Sequence, residues 1–191
     1  MMLFQDGATH AWRAGRPPLD LIVTLDGATS ELYSAFPVEA AATFASWRGL
    51  TEVIGRHGLV CALHTDRGSR DFVTPKAGGA VAPKPLTQVG RALAPLGIEH
   101  IPAYSPEARG RMERVFGALQ NRLPQELRLA GIGSIDAANR CLAETFVPEH
   151  NARFAVAAAE PGSAFVPDAG DLAEVRCVPA ERVVGNDDCL R

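Results

Sequence analysis

The chain of 191 residues is poor in the features that mark disulfide-built, membrane-spanning or polycationic proteins. Its four cysteines, Cys61, Cys141, Cys177 and Cys189, are widely spaced and form no C-x-x-C pair. That excludes a disulfide framework and fits reduced thiols in a cytoplasm. No apolar run is long enough to span a bilayer, and no segment has the form of a signal peptide. The net charge of −3 gives no overall attraction to nucleic acid. There is no internal repeat, and no low-complexity tract beyond short alanine clusters. What is present is a hydrophobic content of 47% against 21% charged residues, the balance of a folded chain with one ordinary core.

Hydrophobic periodicity divides the chain into alternating strands and helices. Met1 to Trp12 opens with a short apolar run, and Asp6-Gly7 reads locally as a hairpin turn. Leu19 to Leu25 is a branched, strand-forming run, Asp26-Gly27-Ala28-Thr29 is a turn, and Glu31 to Val38 returns as an antiparallel strand. Glu39 to His57 carries Phe44, Trp47, Leu50, Val53 and Ile54 at helical spacing, with Gly58 as the stop. Leu59 to Thr65 is a short buried strand closed by Asp66-Arg67-Gly68-Ser69. Cys61 and His64 within it cannot share a metal ion, because residues three apart on a strand face opposite ways.

Phe72 to Pro85, with its glycines, prolines and lysines, is expected to be a mobile loop. A short helix over Leu86 to Leu96, stopped by Gly97, and a strand over Ile98 to Ala103 follow. Ser134 to His150 is another amphipathic helix, with Ile135, Ala138, Leu142 and Phe146 on one side. From Glu160 the chain turns to Pro, Gly and Asp with short branched runs, as at the start of a small β-rich segment. The order predicts a mixed sheet with packed helices, antiparallel in its first half and parallel in its second.

The stretch from Ser105 to Arg122 carries the most chemistry. Ser105 is placed to cap a helix whose first residue is Pro106, and Met112, Val115, Phe116 and Leu119 form its buried stripe. Glu113 falls on the border of that stripe, and Gly110, one turn earlier, leaves room for a phosphate or another backbone. Arg109, Arg111, Arg114 and Arg122 surround the acid. On local grounds a glutamate among arginines is a solvated face with weak ion pairs. A carboxylate at the edge of a basic helix also suits a metal ion acting on a polyanion.

Three segments, Gln5-Asp6-Gly7-Ala8-Thr9-His10, Thr65-Asp66-Arg67-Gly68-Ser69 and Pro106-Glu107-Ala108-Arg109-Gly110-Arg111-Met112-Glu113, together resemble the catalytic core of DDE integrases and insertion-sequence transposases. That family has an Asp on its first strand, an Asp-Asn/Arg-Gly-Ser turn after its fourth, and a Pro-x-x-x-Gly-x-x-Glu helix. The resemblance covers about residues 3–155. It implies a ribonuclease H-like α/β fold whose five-stranded sheet has three antiparallel and then two parallel strands, flanked by helices. It also implies DNA strand cleavage and transfer, with two Mg²⁺ ions (Mn²⁺ substituting) held by Asp6, Asp66 and Glu113. Asp6 and Asp66 would share one ion, and Asp6 and Glu113 the other. DNA, as element ends and target, is the implied partner, contacted at phosphates by Arg109, Arg111 and Arg114, and the protein is expected to be a homo-oligomer on DNA.

Asp26 also ends a strand and competes for the first carboxylate, but the Thr9-His10 that follows Asp6 matches the family pattern. Asp71 departs from it, standing where a neutral or aromatic residue is expected, and the 46 residues between Asp66 and Glu113 exceed the retroviral spacing. The family usually adds helix-turn-helix domains before this core and a β-rich segment after it. A core over 1–155 and a tail over 156–191 truncated within that segment are therefore expected. A receiver-like domain, all parallel and with a late-strand lysine, fits the antiparallel Leu19 to Val38 pair poorly. A remnant that pairs with full-length transposase without catalysis is the second expectation.

Overall fold

In a computed structural model that describes residues 1–76, 79–104, 106–160, 162–167 and 172, with the side chains of 106–109 outside the description, one sheet organises the chain. β1 (Met2–His10), β2 (Leu19–Asp26) and β3 (Leu32–Val38) form an antiparallel meander. α1 (Thr43–His57) then crosses over to β4 (Ala62–Thr65), which lies parallel to β1. α2 (Gln88–Leu93) and a 3₁₀ turn (Ala94–Leu96) lead to β5 (Glu99–Pro102), parallel to β4. The strand order is β3-β2-β1-β4-β5, with three antiparallel strands followed by two parallel ones, as the order of elements predicts.

Alternation along the strands sorts the core into two layers. On one face Phe4 of β1 and Leu19, Leu21, Val23 and Leu25 of β2 pack under α3 (Pro106–Leu129) and the helices after it, through Met112, Phe116, Leu119 and Phe146. On the other face Leu3 and Leu63 meet Trp47, Leu50 and Val53 of α1 and Val89 and Leu93 of α2. Gln5 also faces α1, where its buried amide donates to Thr24 Oγ1 at 3.0 Å and to the Ser46 carbonyl at 3.1 Å. That contact requires Gly49, since a Cβ there would stand 2.8 Å from Gln5 Nε2.

The elements depart from sequence expectation in informative places. Asp6-Gly7 makes no turn: β1 runs through it to His10, because the registry with β2 supplies partners for the whole stretch, Asp6 opposite Val23 and Gly7 opposite Ile22. The helix expected from Glu39 starts at Thr43. Leu59, expected within the fourth strand, instead bridges Val166, with both Leu59 and Val166 amides bonded across at 2.7 and 2.9 Å. Gly58, at φ +107°, permits this, because any Cβ would lie 2.4 Å from the Val166 carbonyl oxygen.

The last helix is α4 (Ile135–Cys141), capped by Ser134 Oγ accepting from the Ala137 amide, then a π turn (Leu142–Phe146), then α5 (Val147–Phe154). The wide turn falls just before Pro148, which has no N–H to close an ordinary helical turn. From α5, Asn151 reaches the outer strand β3, accepting from the Leu32 amide and donating to the Leu32 carbonyl, each at 2.8 Å. Cys61 and Cys141 are free thiols, while Cys177 and Cys189 lie outside the described residues. So do Ser105 and the expected runs Val175 to Val178 and Arg182 to Val184. Among the described residues no helix is long and apolar enough to cross a membrane.

Candidate active site

The parallel pairing of β1 with β4 decides which acids meet. Its register sets Phe4 against His64, and the two rings meet at a tilt with their centroids 4.6 Å apart. Asp6 and Asp66 each lie two residues further along, so they fall side by side at the carboxyl end of β4, on the face covered by α3. Their charges interact: burial is the main force raising the Asp6 carboxyl to about 6, and Asp66 and Asp71 push it the same way. The Gly7 amide, donating to Asp6 Oδ1 at 2.7 Å, and the Arg70 guanidinium oppose that rise.

The turn after β4 is built around Asp66. Its Oδ1 accepts from the Gly68 amide at 3.1 Å, and a Cβ on Gly68 would press to 3.0 Å from that same oxygen. The Gly68 carbonyl then accepts from the Asp71 and Phe72 amides at 3.0 and 2.9 Å, folding the chain back toward the sheet. Phe72 stacks on His100 at 4.1 Å, and His100 Nε2 lies 3.0 Å from Thr65 Oγ1. Burial first, and then His64, lower His100 to about 4, so the ring is neutral near pH 7 and clamps the turn without adding charge. Burial also raises the Asp71 carboxyl, against the pull of Arg70.

Asp71, noted in the sequence only as a departure, is almost fully enclosed at 1% exposure. Arg70 grips its Oδ2 with two donors, Nε at 3.0 Å and Nη2 at 2.8 Å. The signal available in the sequence was the pair itself, an arginine and an aspartate adjoining an Asp-x-Gly-Ser turn.

Glu113 is exposed on α3. Among the described residues no group of three His, Cys, Asp or Glu side chains is close enough to hold a metal ion. The structure sets Asp6 near enough to Asp66 for their charges to interact, and it puts Glu113 on the exposed surface of α3. Arg111 is turned inward, donating to the Gly27 carbonyl and lying 5.4 Å over the Phe4 ring, which docks α3 onto β1. Arg114 is exposed and lies along Gly110, its Nη1 3.7 Å from where a Cβ would stand. The Arg109 side chain lies outside the described residues. Asp26 sits at the other end of the sheet, opposite Leu3, and its carboxylate accepts from the Ala28 amide, the Thr29 amide and Thr29 Oγ1.

No protein-family model matches the chain. It is 34% identical over 186 residues to a protein of Sinorhizobium fredii named "Putative transposase y4bF", and 28% identical over 155 residues to the transposase for insertion sequence IS1202 of Streptococcus pneumoniae. These alignments take in 94% and 80% of the chain but only 40% and 32% of the relatives, so the chain spans well under half of either. Among solved structures, the HTLV-2 integrase catalytic core in complex with magnesium (trimeric form) superposes with a TM-score of 0.54 at 16% identity, over 73% of the chain and 79% of the core. The simian T-cell lymphotropic virus intasome in complex with a PP2A regulatory subunit gives 0.55 at 17%, over 75% and 48%. At such identity the likeness concerns the fold, and that fold is the ribonuclease H-like one of integrase cores.

Proposed function

We propose that the chain is the integrase-like catalytic core of an insertion-sequence transposase and that it cleaves and transfers DNA strands with divalent metal. The observation that carries this reading is the approach of Asp6, on β1, to Asp66, in the turn after β4, at a partly buried point where their charges oppose each other. Such a pair, acceptor-only when ionised, fits a hard cation such as Mg²⁺, with Mn²⁺ substituting. When bound, two such ions supply activation of the attacking oxygen and stabilisation of the leaving one.

The residues then divide the work. Asp6 and Asp66 hold metal from the sheet, and Glu113 is the third carboxylate, offered from α3. Gly110 keeps the helix surface low enough for a phosphate, and Arg114 with Arg109 supplies positive charge that positions the DNA backbone without reading sequence. Arg111, expected among the phosphate contacts, is assigned instead to docking α3. Assembly of copies on DNA is part of the proposal; the HTLV-2 core is known in dimeric and trimeric forms.

The test is Mn²⁺-supported nicking of a duplex oligonucleotide. The expected result is nicking by the wild type and a loss of about 100-fold in Glu113→Gln. Equal activity in Glu113→Gln removes Glu113 from the mechanism. The exposure of Glu113 on α3 favours a second reading, a chain that associates with a longer transposase without catalysis. Co-purification with such a protein, absence of nicking and absence of heat on Mn²⁺ addition would select it.

A further inference from the structure

We infer that Arg67 is a positioning residue that couples the loop over 72–85 to the Asp66 carboxylate. Seating the loop and binding a divalent ion at Asp66 then favour each other. This rests on the reading of Asp66 as a metal ligand.

Arg67 is the residue spanned by the Asp66 turn. The bond from the Gly68 amide to Asp66 Oδ1, at 3.1 Å, closes a ring that runs through the Arg67 backbone. A change in the Arg67 backbone angles therefore moves the carboxylate. The Arg67 side chain is committed to two other segments. Its Nη1 donates to the Gly79 carbonyl at 3.0 Å, and its guanidinium carbon lies 5.0 Å from the centre of the Tyr104 ring. The Tyr104 hydroxyl in turn accepts from the Val81 amide at 3.1 Å. Within the loop, the Ala82 amide donates to the Val73 carbonyl and the Gly79 amide to the Lys76 carbonyl, each at 2.8 Å. The Ala103 amide donates to the Thr65 carbonyl at 2.9 Å, which fixes Tyr104 beside the end of β4. Composition alone marks this loop as mobile, yet Gly79 and Val81 are tied to the two segments that flank the site.

An arginine suits this seat because a planar guanidinium can lie over a ring and donate from its edge at once. Arg67 makes no ion pair among the described residues, so a carbonyl and an aromatic face are what hold it. Such contacts are strong enough to bias the loop and weak enough to let it open. Coupling of this kind is reciprocal: if the seated loop favours the metal-ready Asp66, the bound ion must favour the seated loop by the same factor. A role confined to holding the loop predicts easier opening without Arg67 and no response of the loop to the ion.

The sequence supplies the probe. Lys76 and Lys84 are the only lysines of the 191-residue chain, both fall in this loop, and Lys84 precedes Pro85. Endoproteinase Lys-C therefore reports opening of the loop at the exposed Lys76. The experiment follows that cleavage in the full chain with and without Mn²⁺, beside calorimetric titration with Mn²⁺ alone. Asp66→Asn, which keeps an acceptor for the Gly68 amide, is the control for the metal site. Expected in the wild type are measurable binding and cleavage slowed about fivefold by the ion, both lost in Asp66→Asn. Arg67→Ala should be cut about tenfold faster, bind Mn²⁺ about fivefold more weakly and lose the response to the ion. Tyr104→Phe, which keeps the ring and drops the hydroxyl, should be cut a few-fold faster. Binding that depends on Asp66, with cleavage that ignores the ion or is unchanged in Arg67→Ala, overturns the inference and leaves the metal reading intact. No binding by the wild type, or none lost in Asp66→Asn, removes the metal reading and the inference with it. Should Arg67→Ala fail to fold, a wild-type response to the ion in Tyr104→Ala overturns the inference alone.

Discussion

Two aspartates stand at different levels of the β1–β2 pair and meet opposite treatment. Asp26, opposite Leu3, is enclosed at 5% exposure and has three donors pointed at its carboxylate. Asp6, opposite Val23, has one backbone donor, and faces Asp66 and Asp71. The first arrangement lets a buried charge stabilise a turn. The second leaves a carboxyl whose charge is unwelcome in the empty fold, the condition in which a cation gains most by binding. The contrast separates the acid that holds the structure from the acid to which we assign the chemistry, though sequence alone presents both as strand-associated Asp-Gly pairs.

Substitution at each end should pull activity and stability in different directions. The largest expected effect is at the working end: Asp66→Asn should cut Mn²⁺-supported nicking by at least 100-fold, about 3 kcal/mol of barrier, with the circular dichroism spectrum unchanged. Asp26→Ala should do the converse, costing about 3 kcal/mol in a urea titration by stranding the Ala28 and Thr29 amides, with nicking per folded molecule preserved. An equal loss of nicking in the two variants would erase the distinction.

A pH series sharpens it. Asp6 titrates near 3.8 in the unfolded chain and near 6 in the fold, so the native state holds the proton more tightly between those values. Metal-free stability should therefore fall as pH rises from about 4 to about 6, by about 3 kcal/mol from this group, and be level above. In Asp6→Asn that fall should disappear, which denaturant midpoints across the range would register. The smallest expected effect is Thr29→Val, about 1 kcal/mol, which removes the hydroxyl bonded to Asp26 at 2.8 Å while leaving the two amides in place.

Much of the fold was legible because its signals are periodic. The alternation of Leu19, Leu21, Val23 and Leu25, and the stripe through Met112, Phe116 and Leu119, name their own faces. The turn at Asp26 was equally plain. Asp6-Gly7 misled because a dipeptide preference carries no information about a partner strand, and β2 supplies one along its whole length. The meeting of Asp6 with Asp66 was visible only by resemblance, since the β1–β4 register joins segments 60 residues apart, as from Leu3 to Leu63. Asp71 was noticed for being out of pattern, but its burial depends on the fold-back at Gly68, which spacing does not encode. The π turn before Pro148 and the bridge from Leu59 to Val166 likewise arise from where neighbouring elements settle.

The side-chain amide of Asn151 has a consequence for how copies of this molecule can meet. By offering both an acceptor and a donor to Leu32, it imitates the backbone of a passing chain at that point of the outer strand. A second molecule approaching there edge-on finds both main-chain groups already engaged, so a continuous intermolecular ribbon cannot be seeded at Leu32.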